Sequence, residues 1–120
     1  MNILSELNTL LKTLAIPVET GVFSSKAPDE YVVVTPLSES CLYADNRPIF
    51  EVQEARLSLF SKGNYLRRKR QITAALLDAD FTITGRRYIG HEDDTGFYHY
   101  AIDVATSVTL DSISPDGDND

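Results

Sequence analysis

Two histidines and three carboxylates lie close together near the end of the chain, in the stretch GHEDDTGFYHY at residues 90–100. They are His91, Glu92, Asp93, Asp94 and His99. Imidazole nitrogens and carboxylate oxygens bind zinc and similar ions, and the same groups move protons in acid–base catalysis. The stretch therefore poses two alternatives, a small metal-dependent enzyme or the polar connection of a β-hairpin.

The spacing of these side chains favours the hairpin connection. Segments 81–89 and 97–108 are strand-like, and the glycines and acids of the linking GHEDDTG are typical of an exposed turn. His99 and Asp103 share a strand face but stand well separated along it, while His91 approaches His99 only across the hairpin. No HExxH, CxxC or DxDxDG spacing accompanies them. Because a metal site needs converging ligands, we expect no catalytic residue, no bound metal and no cofactor.

Length, charge and cysteine content limit the class of protein. The 120 residues fit one domain, and the formal net charge of −7 makes free nucleic acid an unfavourable main ligand. The single cysteine, Cys41, has no partner for an intramolecular disulfide, which favours a reducing cytoplasm. Polar residues interrupt the apolar N-terminal stretch, so we expect neither a signal peptide nor a membrane span.

Apolar periodicity predicts two helices. The first covers about residues 2–15, ends before Pro17, and carries its apolar stripe at Ile3, Leu7, Leu10 and Leu14. The second covers about residues 64–79 and has Asn64 as its N-cap. Its predicted inward positions are Tyr65, Lys69, Ile72, Leu76 and Ala79.

Alternating and β-branched segments predict the strands that these helices cover. Residues 18–23 indicate a short edge strand, 30–35 a second strand, and 49–60 a long half-exposed strand; the polar segment 36–48 is expected to be an extended loop. The inward face of the long strand is predicted to hold Gln53, Ala55, Leu57 and Leu59. The expected fold is a single α+β domain over residues 1–110, a mostly antiparallel sheet covered on one face by two helices, followed by an acidic tail at 111–120.

A basic run, LRRKR at residues 66–70, falls in the second helix. Arg67, Arg68 and Arg70 are predicted to lie on its solvent side, where a charge run is usually only a solvated face. The functional alternative is an oligomer interface. The acidic turn of Glu92, Asp93 and Asp94 on one copy then pairs with these arginines on the next, as in a head-to-tail ring.

The order of the second half of the chain carries a resemblance to a known family. A long strand ends in LSLFSKGNYLRRKRQITAALL, and DFTITGRRYIGHEDDTGFYHYAIDVA follows. This order resembles the small tail-completion proteins, also called tail-terminator or head–tail joining proteins, of long-tailed bacteriophages and prophages. The resemblance covers about residues 1–108 and is strongest from 47 to 105.

The resemblance implies a structural, non-enzymatic virion protein. Such a protein assembles as a ring, typically a hexamer, on the finished tail-tube protein, ends tube growth, and joins the tail to the head-closure or neck protein. DNA passes it only as a non-specific lumen contact, and its location is the host cytoplasm and then the tail–neck junction. Within the segment 36–48, Tyr43, Asp45 and Arg47 are the expected tube or neck contacts. Two alternatives stay open: another neck or minor tail component of related fold, and a small metal-dependent enzyme using His91, His99 and nearby carboxylates.

The composition of the C-terminal segment gives a first testable prediction. DSISPDGDND has too little apolar surface to offset the entropy of ordering it, so we expect it to be disordered. A chain truncated after Leu110 should keep the melting temperature of the full chain in differential scanning calorimetry. A large drop would show instead that this segment docks on the domain.

Overall fold

A computed structural model describes residues 2–19 and 28–109 of the chain. Its elements are α1 (Ile3–Thr13), β1 (Val18–Glu19), β2 (Glu30–Ala44), β3 (Arg47–Ser61), α2 (Tyr65–Asp78), β4 (Thr82–His91) and β5 (Tyr98–Thr109). The predicted single α+β domain is confirmed. The tail at 111–120 and most of the predicted strand 18–23 lie outside the described residues. Within those residues, neither helix is long and apolar enough to cross a membrane.

The five strands form one sheet in the order β1-β2-β3-β5-β4. Only the short β1 runs parallel to its neighbour, pairing with Val32 and Val33 of β2; the other three pairings are antiparallel. Strand β3 pairs with β2 over its whole length and with β5 from Phe50 to Ser61. The predicted edge position of the segment at residue 18 is therefore confirmed for the two residues that are described.

Helix α1 is closed at both ends by specific hydrogen bonds. The Asn2 side chain accepts from the Leu4 N–H at 2.8 Å, and the Ile3 N–H donates to the buried Gln53 amide oxygen of β3 at 3.0 Å. At the other end Ala15 takes a left-handed φ of 58°, and the Ile16 N–H donates back to the Leu11 carbonyl. This is a Schellman motif. It ends the helix at Thr13, before the predicted residue 15, so Pro17 is not what terminates it.

Helix α2 begins as predicted. Asn64 is its N-cap and accepts from the Arg67 N–H at 3.1 Å. Asp80 has a φ of 65°, and the Phe81 N–H donates to the Leu76 carbonyl, which makes a second Schellman motif. The predicted inward residue Ala79 is exposed, because it is the C-cap from which the chain turns away.

The hydrophobic core lies between the two helices and one face of the sheet. Alternation along β3 buries the predicted residues of its inward face, and Gln53 is buried with them. The helices contribute their apolar stripes, and each Schellman motif adds one buried residue after the helix. The core members are Ile3, Leu7, Leu11, Ile16, Val32, Val34, Ala55, Leu57, Leu59, Ile72, Leu76, Phe81, Tyr100, Ile102 and Val104.

The prediction of an extended loop at 36–48 is wrong. Strands β2 and β3 continue past the helices as an antiparallel hairpin whose two-residue turn is Asp45–Asn46, with φ values of 52° and 65°. Two successive positive φ values are typical of the tight type I′ turn, which matches the twist of the flanking strands. From Thr35 to Ala44 every β2 residue is exposed, so hydrogen bonding to β3, and not burial, holds this segment in the sheet. We call residues 37–52 the arm.

The turn gives a prediction for the order of the arm. Asn46→Val forces a β-branched residue into a left-handed conformation at a cost of about 1–2 kcal/mol, whereas Asn46→Gly relieves that restriction. Hydrogen exchange of arm amides, read against core amides of β5, should show faster exchange for the valine variant and unchanged or slower exchange for the glycine variant. Equal exchange in both variants would show that the turn does not fix the arm.

Candidate interaction surfaces

The sheet face opposite the two helices, the open face, carries a cluster of aromatic rings at one end. Tyr31 and Phe60 stack with ring centroids 4.9 Å apart, and Phe60 stacks on His99 at 4.1 Å. Phe97 packs edge-on against Tyr31 and Phe60, and the Lys62 ammonium lies 4.9 Å from the Phe97 ring centroid. Rings from three neighbouring elements therefore shield one another where neither described helix covers them.

Burial within this cluster changes the acidity of two of its members. It lowers the pKa of His99 below the ordinary 6.5, although the Glu92 carboxylate acts in the opposite direction. The His99 Nε2 is buried and has no hydrogen-bond partner in the described part of the chain. Burial, together with Glu92, raises the pKa of the Tyr31 hydroxyl. His99 is thus held neutral and packed as a ring.

Farther along the open face, Arg56 of β3 and Asp103 of β5 form a bidentate ion pair. The Arg56 Nε lies 2.7 Å from one carboxylate oxygen of Asp103, and its Nη2 lies 3.0 Å from the other. These hydrogen bonds hold the pKa of Asp103 below its ordinary value, against the effect of burial. Asp103 does share the face of His99, as the alternation predicts, but its carboxylate is already engaged by the guanidinium.

His91 and His99, which could have approached each other across the hairpin, lie on opposite faces of the sheet. His91 pairs with Tyr98, and its ring lies against Tyr98 at 4.4 Å on the helix side of the sheet. His99, the next residue along β5, stacks on Phe60 on the open face. Side chains that point to opposite faces cannot share one ion. Among the described residues there is also no group of three potential metal ligands.

The acidic turn between β4 and β5 is an ordered loop. The Glu92 N–H donates to the Phe97 carbonyl at 2.9 Å, and Gly96, at a φ of 83°, donates to the Glu92 carbonyl at 2.7 Å. The Thr95 hydroxyl donates to the Glu92 carboxylate at 2.7 Å, while Asp93 lies 3.3 Å from the His91 ring. Asp93 and Asp94 both project into solvent. Of the three predicted interface carboxylates, Glu92 is therefore engaged within the loop, and Asp93 and Asp94 are open to solvent.

The basic run is split by the structure. Arg67 and Arg70 are exposed as predicted, but the prediction is wrong for Arg68, whose side chain is only 26% exposed. Arg68 donates to the Glu30 carboxylate of β2 at 2.7 Å and to the Gln71 side chain at 2.9 Å. The second Glu30 oxygen accepts from the buried Ser61 hydroxyl at 3.2 Å, so this Glu30 network joins β2, β3 and α2.

The two predicted charge patches lie at one end of the molecule. Ser61 pairs with Tyr98, the first residue of β5 after the acidic turn. The Tyr65 ring at the start of α2 stacks on Tyr98 with ring centroids 5.2 Å apart, so the start of the helix lies next to the turn. Arg67 lies beside Glu30, on the β2 side, whereas the turn joins β5 to the edge strand β4. This charged end presents opposite charges on different flanks, as head-to-tail pairing requires.

The arm forms the opposite end of the molecule. Tyr43, Asp45 and Arg47, the predicted tube or neck contacts, are all exposed at its tip. Sequence reasoning missed the apolar side chains that accompany them, Leu42, Ile49 and Phe50, which are 54%, 43% and 37% exposed. Leu42 pairs directly with Phe50 across the strands. The sequence does place two large apolar residues before the two-residue turn, Leu42 and Tyr43, and two after it, Ile49 and Phe50. Polar residues between and around them obscure this pattern.

Comparison of the sequence with protein-family models and with curated proteins finds no match.

The different surroundings of the three arginines give a prediction that separates structure from surface. Arg68→Glu places a carboxylate beside Glu30 and removes charge-assisted hydrogen bonds, so it should lower the free energy of unfolding by about 1–3 kcal/mol. The matched controls Arg67→Glu and Arg70→Glu should change it by less than about 0.5 kcal/mol. Urea denaturation at neutral pH measures all three, and equal effects would contradict the assigned role of the Glu30 network.

Proposed function

We propose that this chain is a structural tail-completion protein of a long-tailed bacteriophage or prophage. It caps the finished tail tube as an oligomeric ring, a hexamer by the resemblance, stops further tube growth and joins the tail to the head. Its partners are further copies of itself, the tail-tube protein and the head-closure or neck protein. It acts in the host cytoplasm during assembly and remains at the tail–neck junction of the virion.

The arm is the observation that carries this proposal. A 15-residue strand at about 3.3 Å per residue spans about 50 Å, in accord with a longest dimension of 53 Å against 26 and 23 Å for the other two axes. The arm places large apolar side chains at its tip, where the described part of the same chain leaves them exposed. Exposed apolar groups on a projecting element are typical of protein contact sites. A scaffold with such an element suits assembly better than turnover of a small substrate.

The edges of the sheet bear on the proposed mode of association. An unpaired strand edge can be covered by a neighbouring copy, yet the free edges of β2 and β4 are both interrupted. Strand β2 carries Pro36 and a bulge before Ser38, and β4 has irregular pairing before Gly85 and before Gly90. Proline and bulges at edges oppose strand-to-strand pairing between molecules. The ring is therefore proposed to form through side chains, with the charged end as one contact.

Net negative charge supports the same role. A chain with a formal charge of −7 that lines a conduit repels passing DNA and keeps it from adhering. The genome is then only a transient, non-specific lumen contact, and the protein's lasting contacts are with other proteins.

Deletion of the gene tests the proposal. In a phage that encodes this chain, loss of the gene should yield overlong tails that lack heads, because nothing stops the growth of the tube. Supplying the wild-type protein should restore normal virions. Supplying Arg67→Glu/Arg70→Glu, which keeps the fold, should fail if the charged end joins neighbouring copies.

Two other outcomes discriminate the alternatives. Tails of normal length that merely lack heads would favour another neck component over a tail terminator. Normal virions from the deletion would overturn the assignment altogether.

A further inference from the structure

A groove runs between α1 and α2 on the outer side of the helix layer. Its volume is about 580 Å³, comparable with that of ligand-binding pockets (roughly 300–1,000 Å³). Leu10, Ala75 and Phe81 give it an apolar lining. Its charged lining residues, Glu6 and Asp78, are both acidic.

The arm tip has the complementary properties. Leu42, Tyr43, Ile49 and Phe50 are large, apolar and exposed. Arg47 beside them is the only basic residue between positions 36 and 54. In the described part of the chain, Arg47, Glu6 and Asp78 take part in no ion pair. Both surfaces are thus unsatisfied in the single chain, and their charges are opposite.

We propose that the arm tip of one copy inserts into the inter-helix groove of the next copy, with Arg47 paired to Glu6 and Asp78. The hairpin is paired across its two strands as far as its turn, and its tip is exposed and not seated on its own helices, so we take the occupant to be another molecule. A second copy is the occupant because every copy carries both the apolar tip and the acidic groove. This inference rests on the proposed ring, for which it supplies a contact distinct from the charged end.

The contact is heterologous, since two different surfaces of the chain meet. Such a contact repeats around a ring when the rotation closes. It uses Tyr43 and Arg47 between copies and so withdraws them from the tube and neck. Apolar insertion supplies the main attraction, and the acidic groove fixes which end of the tip enters.

Cross-linking through the native cysteine tests the contact. Cys41 is exposed in the arm and lies two residues from Tyr43. Three exposed positions line the groove along α1, and the variants are Ser5→Cys, Thr9→Cys and Thr13→Cys. The matched control is Leu77→Cys, exposed on α2 and about 200° around that helix from the groove residue Ala75. Each protein replaces the wild type in a phage, and purified tails are treated with a short bifunctional maleimide.

A groove cysteine together with Cys41 gives each copy two reactive ends, so denaturing gels should show a ladder of three and more linked copies. The Leu77→Cys control and the wild type should give no species beyond a dimer. Mass spectrometry of linked peptides should join the segment around Cys41 to α1.

A charge exchange supplies the second measurement, in the Thr9→Cys background. Arg47→Glu should lose the ladder, and so should Asp78→Arg, which is tolerated at a helix C-terminus. Combined in one chain they should restore it. Failure of the combined variant to restore a ladder that both single changes abolish would remove the Arg47 pairing.

The outcomes separate the contact from the function. If tails contain the protein but no groove variant gives a ladder, or if Cys41 links to the tube or neck protein, the arm–groove contact is wrong and the tail assignment stands. If purified tails contain none of the protein, the proposed function and the contact both fall.

Discussion

Strand β3 is hydrogen-bonded along both of its edges from Phe50 to Ser61, and the rest of the structure depends on it. Because β3 has a partner strand on each side, its side chains alternate strictly between the two faces of the sheet. One face packs against the helices in the core, and the other is the open face. Gln53 on the inward face then receives the first N–H of α1, which fixes where the helix layer begins. Since β3 is longer than the helices that cover it, its remaining length has to project. The arm is thus the part of the β2–β3 hairpin that extends beyond the helices and the core.

At the C-terminal end of β3, a network of polar side chains joins α2 to the sheet. Glu30 accepts from Ser61 and from Arg68, so a single carboxylate ties two strands to the first turns of α2. A charge held at this depth is stable only with several partners, which explains why one arginine of the basic run turns inward while its neighbours stay in solvent. Because that arginine is drawn from the surface, Arg67 and Arg70 are the arginines of the basic run that another molecule can reach.

Much of the fold could be predicted from the sequence, because helix periodicity and the alternation in β3 report burial directly. Asn64 as N-cap and the inward set Gln53, Ala55, Leu57 and Leu59 follow from local pattern alone. Most of the arm could not be predicted in this way, since the described side chains at residues 37–47, 49 and 50 are exposed on both faces and show no alternation in burial. It is specified by its turn, Asp45–Asn46, and by pairing with a partner strand.

The candidate site was predictable only in part, for a similar reason. The faces taken by His91 and His99 depend on a register that places Tyr98, and not His99, opposite His91; one residue of slip would have put both rings on one face. The inward turn of Arg68 depends on Glu30, which lies 38 positions earlier in the chain. Helical spacing alone contains no information about such a partner.

The surfaces that remain outward bear on the timing of the proposed assembly. Strand edges, which associate without regard to side chains, are interrupted by Pro36 and by bulges. What is left are a small apolar tip, a groove and a few opposed charges, each weak when two copies meet in solution. If a tube holds several copies side by side, as proposed, each contact between them becomes effectively intramolecular, and each copy can engage two neighbours. Weak surfaces could then close the proposed ring on the tube without forming it in solution.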